Sequence, residues 1–226
     1  MSNSRFTELL NERTQQAGLL MEVRLASALE AYFELLRRWN RKINLTGLDL
    51  DALTGEGVDR LFVEPLMAAQ HVSPETARII DLGSGGGSPA IPLTLAVPAA
   101  SVTMVESRAK KSVFLLEAAR ELALEARVLT ARYEDLLKRD DLIEGFDTLT
   151  SRALRLGSRE VAQVHEFVRA GGRLLLFRSA INPEELVVNS PLFLESTRPL
   201  PREGSELMIF QKAPASVPRG TLPTKA

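Results

Sequence analysis

Across residues 25–40, Leu25, Leu29, Tyr32, Leu36 and Trp39 recur at three- and four-residue steps. That spacing puts one apolar stripe on a helix and assigns Trp39 to the core. Arg37, Arg38, Arg41 and Lys42 close the helix, where cations complement the helix dipole. The run Ile43-Asn44-Leu45-Thr46-Gly47 ends it. Residues 59–71 predict another short helix, although Pro65 is best tolerated in a first turn. The segment 1–72 therefore reads as a helical extension. From Arg78 the texture changes. Short β-rich runs at 78–82, 101–105, 126–130, 146–150, 173–177, 193–197 and 206–211 predict seven strands. Helical stretches at 89–96, 110–122, 133–137 and 158–169 lie between the earlier ones. Strand, helix, strand at this spacing implies right-handed crossovers and a mainly parallel sheet, an α/β fold over 73–212. Only the turn-rich segment 199–204 separates the last two runs, which predicts an antiparallel hairpin. Residues 213–226, with Pro214, Pro218, Gly220 and Pro223, are expected to be disordered.

Composition narrows the chemistry. The 226 residues include no cysteine, which excludes disulfide scaffolds, thiolate metal sites and cysteine nucleophiles. The two histidines, His71 and His165, are far apart and lie in no recognisable nucleophile context. No metal centre is expected. No stretch approaches the roughly 20 apolar residues of a membrane span. The opening MSNSRFTELLNER lacks the apolar run of a signal peptide. A cytoplasmic protein that does not enter a membrane is expected. The 28 basic and 29 acidic residues nearly cancel, so nucleic-acid binding would rely on local clusters. Arg37, Arg38, Arg41 and Lys42 form one, and Arg108, Lys110 and Lys111 another, with Arg155 and Arg159 extending the rim. A solvated helix face is the alternative reading of each.

The most informative segment is Ile79-Ile80-Asp81-Leu82-Gly83-Ser84-Gly85-Gly86-Gly87-Ser88-Pro89. An apolar strand runs into a glycine-rich turn and then a helix, which lets a ligand approach the backbone. Gly83, Gly85 and Gly87 are spaced G-x-G-x-G. A dinucleotide fingerprint would be G-x-G-x-x-G, and Ser88 stands where its third glycine belongs. A phosphate loop would need lysine followed by serine or threonine, and neither follows here. The next strand ends in Val105-Glu106. A carboxylate there is placed to hold the ribose hydroxyls of an adenosine moiety.

These blocks resemble the RsmG (GidB) family of class I methyltransferases. Asp81 through Leu93, Val105-Glu106-Ser107-Arg108-Ala109-Lys110-Lys111, Trp39-Asn40-Arg41-Lys42-Ile43-Asn44-Leu45-Thr46 and Thr150-Ser151-Arg152-Ala153 match its signatures in order. The chain departs from the family where G-F-P-G is usual, with Ser88 and Ala90 around Pro89. It also departs from R-H-x-x-D-S, reading Arg60-Leu61-Phe62-Val63-Glu64-Pro65. The resemblance implies a Rossmann-like fold, the cofactor S-adenosylmethionine, and methylation of N7 of a guanine in 16S ribosomal RNA, either free or in the small ribosomal subunit. Another RNA site, a small molecule, or a non-catalytic ribosome-binding role are the alternatives. It implies no oligomeric state, and a monomer is compatible with it. Carried over, Asp81, Gly83, Ser84, Gly85 and Gly87 would shape the passage for the methionine part, and Glu106 would hold the ribose. The backbone near Tyr133 and Glu134 would read the adenine edge. Arg152, ending the fourth strand, would line the pocket and hold the cofactor carboxylate or an RNA phosphate. Guanine N7 carries an in-plane lone pair, so such a site needs alignment and no general base.

Overall fold

In β1 (Arg78–Leu82) successive apolar side chains serve opposite faces. Ile79 joins one hydrophobic core, and Ile80 and Leu82 join the other. Side chains alternate along a strand, so a near-continuous apolar run marks a strand covered on both faces. The same holds in β2 (Ser101–Val105), where Met104 and Val105 separate between the two cores. A computed structural model describes residues 2–73, 77–152, 154, 156–179 and 181–214. Ala153, Arg155 and the tail from residue 215 lie outside the described residues, and with them most of the segment expected to be disordered.

The remaining strands are β3 (Ala126–Leu129), β4 (Phe146–Ser151), β5 (Val168–Ser179), β6 (Leu192–Pro199) and β7 (Ser205–Lys212). They form one seven-stranded sheet in the order β3-β2-β1-β4-β5-β7-β6. The strands β1 to β5 pair in parallel, and β7 runs antiparallel between β5 and β6. The expected mainly parallel sheet with a C-terminal hairpin is therefore present. In this order the chain reverses direction across the sheet between β1 and β4. A ligand crevice forms outside the strand C-termini at such a switch point.

Two boundaries differ from the sequence reading. β5 begins at Val168, inside the stretch expected to be helical, because α8 (Ser158–Val164) gives way to a tight 3₁₀ turn over His165–Phe167. At Gly172 a Cβ would come within 2.7 Å of the Asp147 carbonyl oxygen, and the β4–β5 register shifts nearby. This close approach holds the early part of β5 to the sheet. The helix expected over 59–71 instead starts at Gly55, where Thr54 caps it by accepting the Gly57 N–H at 3.2 Å. It runs through α3 (Gly55–Val58), a wider π-helical turn over Asp59–Val63, and α4 (Glu64–Ala69). Pro65 thus lies inside a continuous helix, just after the wider π-helical turn, and the Arg60 carbonyl accepts instead from Arg152 Nη1.

The N-terminal helices α1 (Ser2–Gln16) and α2 (Val23–Asn40) pack with α3, α4, α5 (Ala90–Ala96) and α6 (Ala109–Glu121) over one sheet face. Phe6 stacks on Phe33 with ring centroids 4.5 Å apart, and Phe62 meets both edge-on. Residues 1–72 thus share one core with the sheet. The other face is covered by α7 (Tyr133–Leu136) and α8. No helix among the described residues is long and apolar enough to cross a membrane.

Candidate active site

The glycine loop leaves β1 beside the end of β2. Gly83 and Ser84 both donate backbone N–H groups to the Val105 carbonyl, at 2.9 and 3.0 Å. Gly85 and Gly87 have φ of +53° and +90°, in the region that disfavours side chains. At Gly87 a Cβ would meet Ile91 Cδ1 at 2.5 Å. At Gly85 the nearest atoms to a Cβ are the Gly83 carbonyl oxygen at 3.7 Å and Lys111 Nζ at 3.9 Å. One glycine is thus required by packing, whereas the other leaves an open face. From the helical layer, buried Tyr32 donates its hydroxyl to the Gly86 carbonyl at 2.6 Å, which ties α2 to the loop.

Glu106 is buried and accepts the Gly85 N–H at 2.9 Å and the Arg108 N–H at 2.8 Å. It therefore fixes the loop as well as facing the cleft. Replacing it with alanine should weaken binding of a cofactor analogue by roughly ten- to a hundredfold, the scale of hydrogen bonds to a charged group. Calorimetry on folded protein checks this, and an unchanged affinity would remove Glu106 from the site.

The first cleft, about 290 Å³, brings together Gly83, Gly85, Glu106, Tyr133 and Glu134. Arg108, Lys111 and Arg132 complete its charged wall. Arg108 and Lys111, which the sequence reading places among RNA-contacting cations, line this cleft. Asp81, Ser84 and Gly87 do not line it. Asp81 and Ser84 are buried beneath the loop, with Ser84 Oγ donating to the Asp81 carbonyl at 3.1 Å. Asp81 Oδ1 accepts from Thr150 Oγ1 at 2.6 Å, while Oδ2 is buried without a partner. Burial pushes the Asp81 carboxyl above its ordinary value, against the hydrogen bonds of Ser84 and Thr150. A carboxylate at Glu106 facing the cleft and the open side of Gly85 fit the ribose diol and the methionine part of an adenosyl cofactor, whereas Asp81 supports the loop from beneath.

Arg152 lies apart from these residues, in a second cleft. Its Nη1 donates to the Arg60 carbonyl and stands 3.4 Å from Ser88 Oγ, and its guanidinium lies 4.3 Å above the Phe177 ring. Nη2 is 3.0 Å from Glu64 Oε2. Burial lowers Arg152 to about 10, with Glu64 opposing the shift. Burial raises Glu64 above its ordinary value, with Arg152, Arg202 and Arg60 opposing. Both groups are thus pulled toward neutrality by desolvation that their mutual attraction does not fully offset. The reading from sequence passed over Glu64. Its one signal was Arg60 and Glu64 bracketing the apolar Leu61-Phe62-Val63 at a four-residue interval.

The cationic end of α2 is also less bare than its sequence implied. Arg37 pairs with Glu34 at 2.8 Å, Arg38 with Glu117 and Glu121 at 3.3 and 3.2 Å, and Arg41 with Asp51 at 2.6 Å. Trp39 packs against Phe114 and donates Nε1 to Glu117 at 3.1 Å, in keeping with its assignment to the core. Arg159 is exposed on α8.

The family described as rRNA small subunit methyltransferase G matches this chain over residues 25–198. The ribosomal RNA small subunit methyltransferase G of Ralstonia nicotianae is 39% identical over 162 residues, covering 70% of this chain and 68% of that protein. Its counterpart from Alkalilimnicola ehrlichii is 35% identical over 178 residues, covering 78% and 77%. Among solved structures, the putative methyltransferase yhhF from Escherichia coli superposes with a TM-score of 0.54 at 14% identity, over 67% of this chain and 84% of that one. The cyclase SpnF gives 0.59 at 13% identity, over 86% and 98%. At such identities the likeness speaks for the fold, since one fold hosts many chemistries.

Proposed function

The chain belongs to the ribosomal RNA small subunit methyltransferase G family, and from that premise we propose that it transfers a methyl group from S-adenosylmethionine to N7 of a guanine in 16S ribosomal RNA. The observation that carries this reading is the junction of two clefts at one side chain. Leu154 lines both the glycine-loop cleft and the arginine-rich cleft holding Arg152. A donor held in the first and a nucleotide held in the second would meet there.

The first cleft's residues suit the donor. Glu106 would take the ribose diol, the open face of Gly85 would pass the methionine part, and the wall at Tyr133 and Glu134 would border the adenine. The cofactor, when bound, supplies an electrophilic methyl group on a sulfonium. The acceptor N7 has its lone pair free at neutral pH, so no side chain has to remove a proton first. The work left to the chain is alignment of donor and acceptor, which alone is worth several kcal/mol of barrier. Arg152 does positioning work here, through Glu64, Arg60 and the face of Phe177.

Binding to the RNA backbone would come from exposed cations. Among the described residues Lys42 makes no ion pair, whereas Arg37, Arg38 and Arg41 do. Lys42→Gln should flatten the salt dependence of RNA binding by roughly 0.7 to 0.9 in slope, the effect of one phosphate contact. Arg38→Gln should change it less, because the arginine already has two carboxylates. A filter-binding salt titration checks both, and equal effects would contradict the distinction. The reaction itself is tested by offering labelled cofactor with small ribosomal subunits, with naked 16S RNA and with small-molecule acceptors. Label in 16S RNA supports the proposal. Label only in a small molecule, or in nothing, would replace it with another acceptor or with a non-catalytic role. A ribosomal substrate also implies that the protein works in the cytoplasm.

A further inference from the structure

The second cleft holds about 600 Å³, room for a nucleotide. Its wall carries Arg60, Arg152, Arg178 and Arg202 against one carboxylate, Glu64. Among the described residues the Arg152–Glu64 contact is the wall's only ion pair, so three positive charges remain unbalanced. A cleft so charged favours an anion such as a phosphate. The pair itself offers something more selective. Glu64 presents a charged acceptor, and its residue is 4% exposed. Beside it Arg152 is pinned by the Arg60 carbonyl and by Phe177, and its Nε is a buried donor with no hydrogen-bond partner among the described residues. A fixed donor next to a fixed carboxylate matches the outer edge of guanine, where the O6 acceptor adjoins the N1–H and N2–H₂ donors.

We infer that the Glu64–Arg152 pair reads the acceptor base, with Glu64 accepting from guanine N1–H and N2–H₂, Arg152 donating to O6, and Arg178 and Arg202 taking the nucleotide's phosphate. The inference rests on the proposed methyl transfer. Gripping that edge leaves N7, on the opposite ring, free to face the first cleft across Leu154. It also answers an electrostatic difficulty. A lone arginine beside a base that is gaining positive charge would oppose the reaction, and the Glu64 carboxylate cancels it. Glu64 and Arg152 both touch the substrate in this reading, and their mutual contact at 3.0 Å keeps the two in register.

The test uses the full-length protein with S-adenosylhomocysteine bound, titrated with GMP, IMP and AMP. IMP differs from GMP only in lacking the N2 amino group. GMP should bind roughly tenfold or more tightly than IMP, the scale of one hydrogen bond to a charged group, and AMP should bind no better than IMP. In Glu64→Gln the GMP preference should vanish while phosphate-driven binding of all three persists. Glu64→Asp should restore part of the preference, and S-adenosylhomocysteine affinity should stay within about twofold throughout. Equal binding of GMP and IMP by the unaltered protein would overturn the inference, as would a preference that survives in Glu64→Gln. If Glu64→Gln does not fold, the GMP and IMP comparison on the unaltered protein decides alone. Methyl transfer to 16S RNA without any GMP preference would sink this inference and leave the proposed function standing.

Discussion

Arg152→Ala is expected to lower folding stability by about 3–5 kcal/mol at neutral pH, the usual cost of breaking a buried ion pair on one side. The side chains of Arg152 and Glu64 are 11% and 5% exposed, so water from the adjoining cleft replaces the lost partner only in part. The deficit should depend on pH, and its sign is fixed by Glu64. Burial already raises that carboxyl above its ordinary 4.5, and Arg152 is the largest influence holding it down. Without Arg152 it rises further. A carboxyl with a raised folded-state pKa contributes stability below its unfolded value and loses that contribution as pH rises through the folded value. The penalty of Arg152→Ala should therefore shrink as pH falls through the carboxylate range. Adding Glu64→Gln should recover part of it at neutral pH. Urea denaturation at neutral and acidic pH checks this, and a penalty independent of pH would mean that Glu64 is not the strained partner.

Gly85→Val is expected to remove cofactor binding while leaving the fold in place. The open face of Gly85 has room for a Cβ, whose nearest atom beyond the adjoining residues would lie 3.7 Å away. The positive φ imposes a strain of about 1–2 kcal/mol, which a domain of this size survives. The branched side chain instead fills the cleft beside Glu106. Affinity for S-adenosylhomocysteine should fall by about a hundredfold or more, comparable to overpacking a tight site by some 3 kcal/mol. Gly87→Val is the contrasting control. Its Cβ would press on Ile91 and the Tyr32 hydroxyl inside the core, so it should lower folding stability by more than Gly85→Val does. Native-like circular dichroism with native affinity in Gly85→Val would put the cofactor elsewhere.

The features read correctly from sequence are those carried by short contiguous segments. β1 and β2 have the bounds that their apolar runs imply, and the glycine loop and Glu106 sit at the ends of those strands. Local chemistry sufficed there, because the turn needs its glycines and the strand end presents its acid. The start of β5 is hidden in the sequence because Val168 and Arg169 continue a helical pattern, and it is the pairing of Val168 with Phe146 of β4 that begins the strand there. The neutralised end of α2 was hidden for a similar reason. The carboxylate partners of Arg38, Glu117 and Glu121, lie on α6, so their approach depends on helix packing across the sheet face, whereas Glu34 and Asp51, the partners of Arg37 and Arg41, are near in sequence. Glu64 and Arg152 belong to segments distant in sequence. Their meeting brings a residue of α4 against one that follows β4, 88 positions later, and no local spacing encodes it.

The central claim is that this chain modifies one atom of one base in ribosomal RNA. Small subunits methylated by the purified protein should be digested to nucleosides and separated against standards. The account predicts 7-methylguanosine as the product, in 16S RNA, formed by the unaltered protein and lost with Gly85→Val. A different methylated nucleoside would contradict the assigned atom. Subunits left unmethylated, by protein that binds S-adenosylhomocysteine normally, would contradict the assigned substrate.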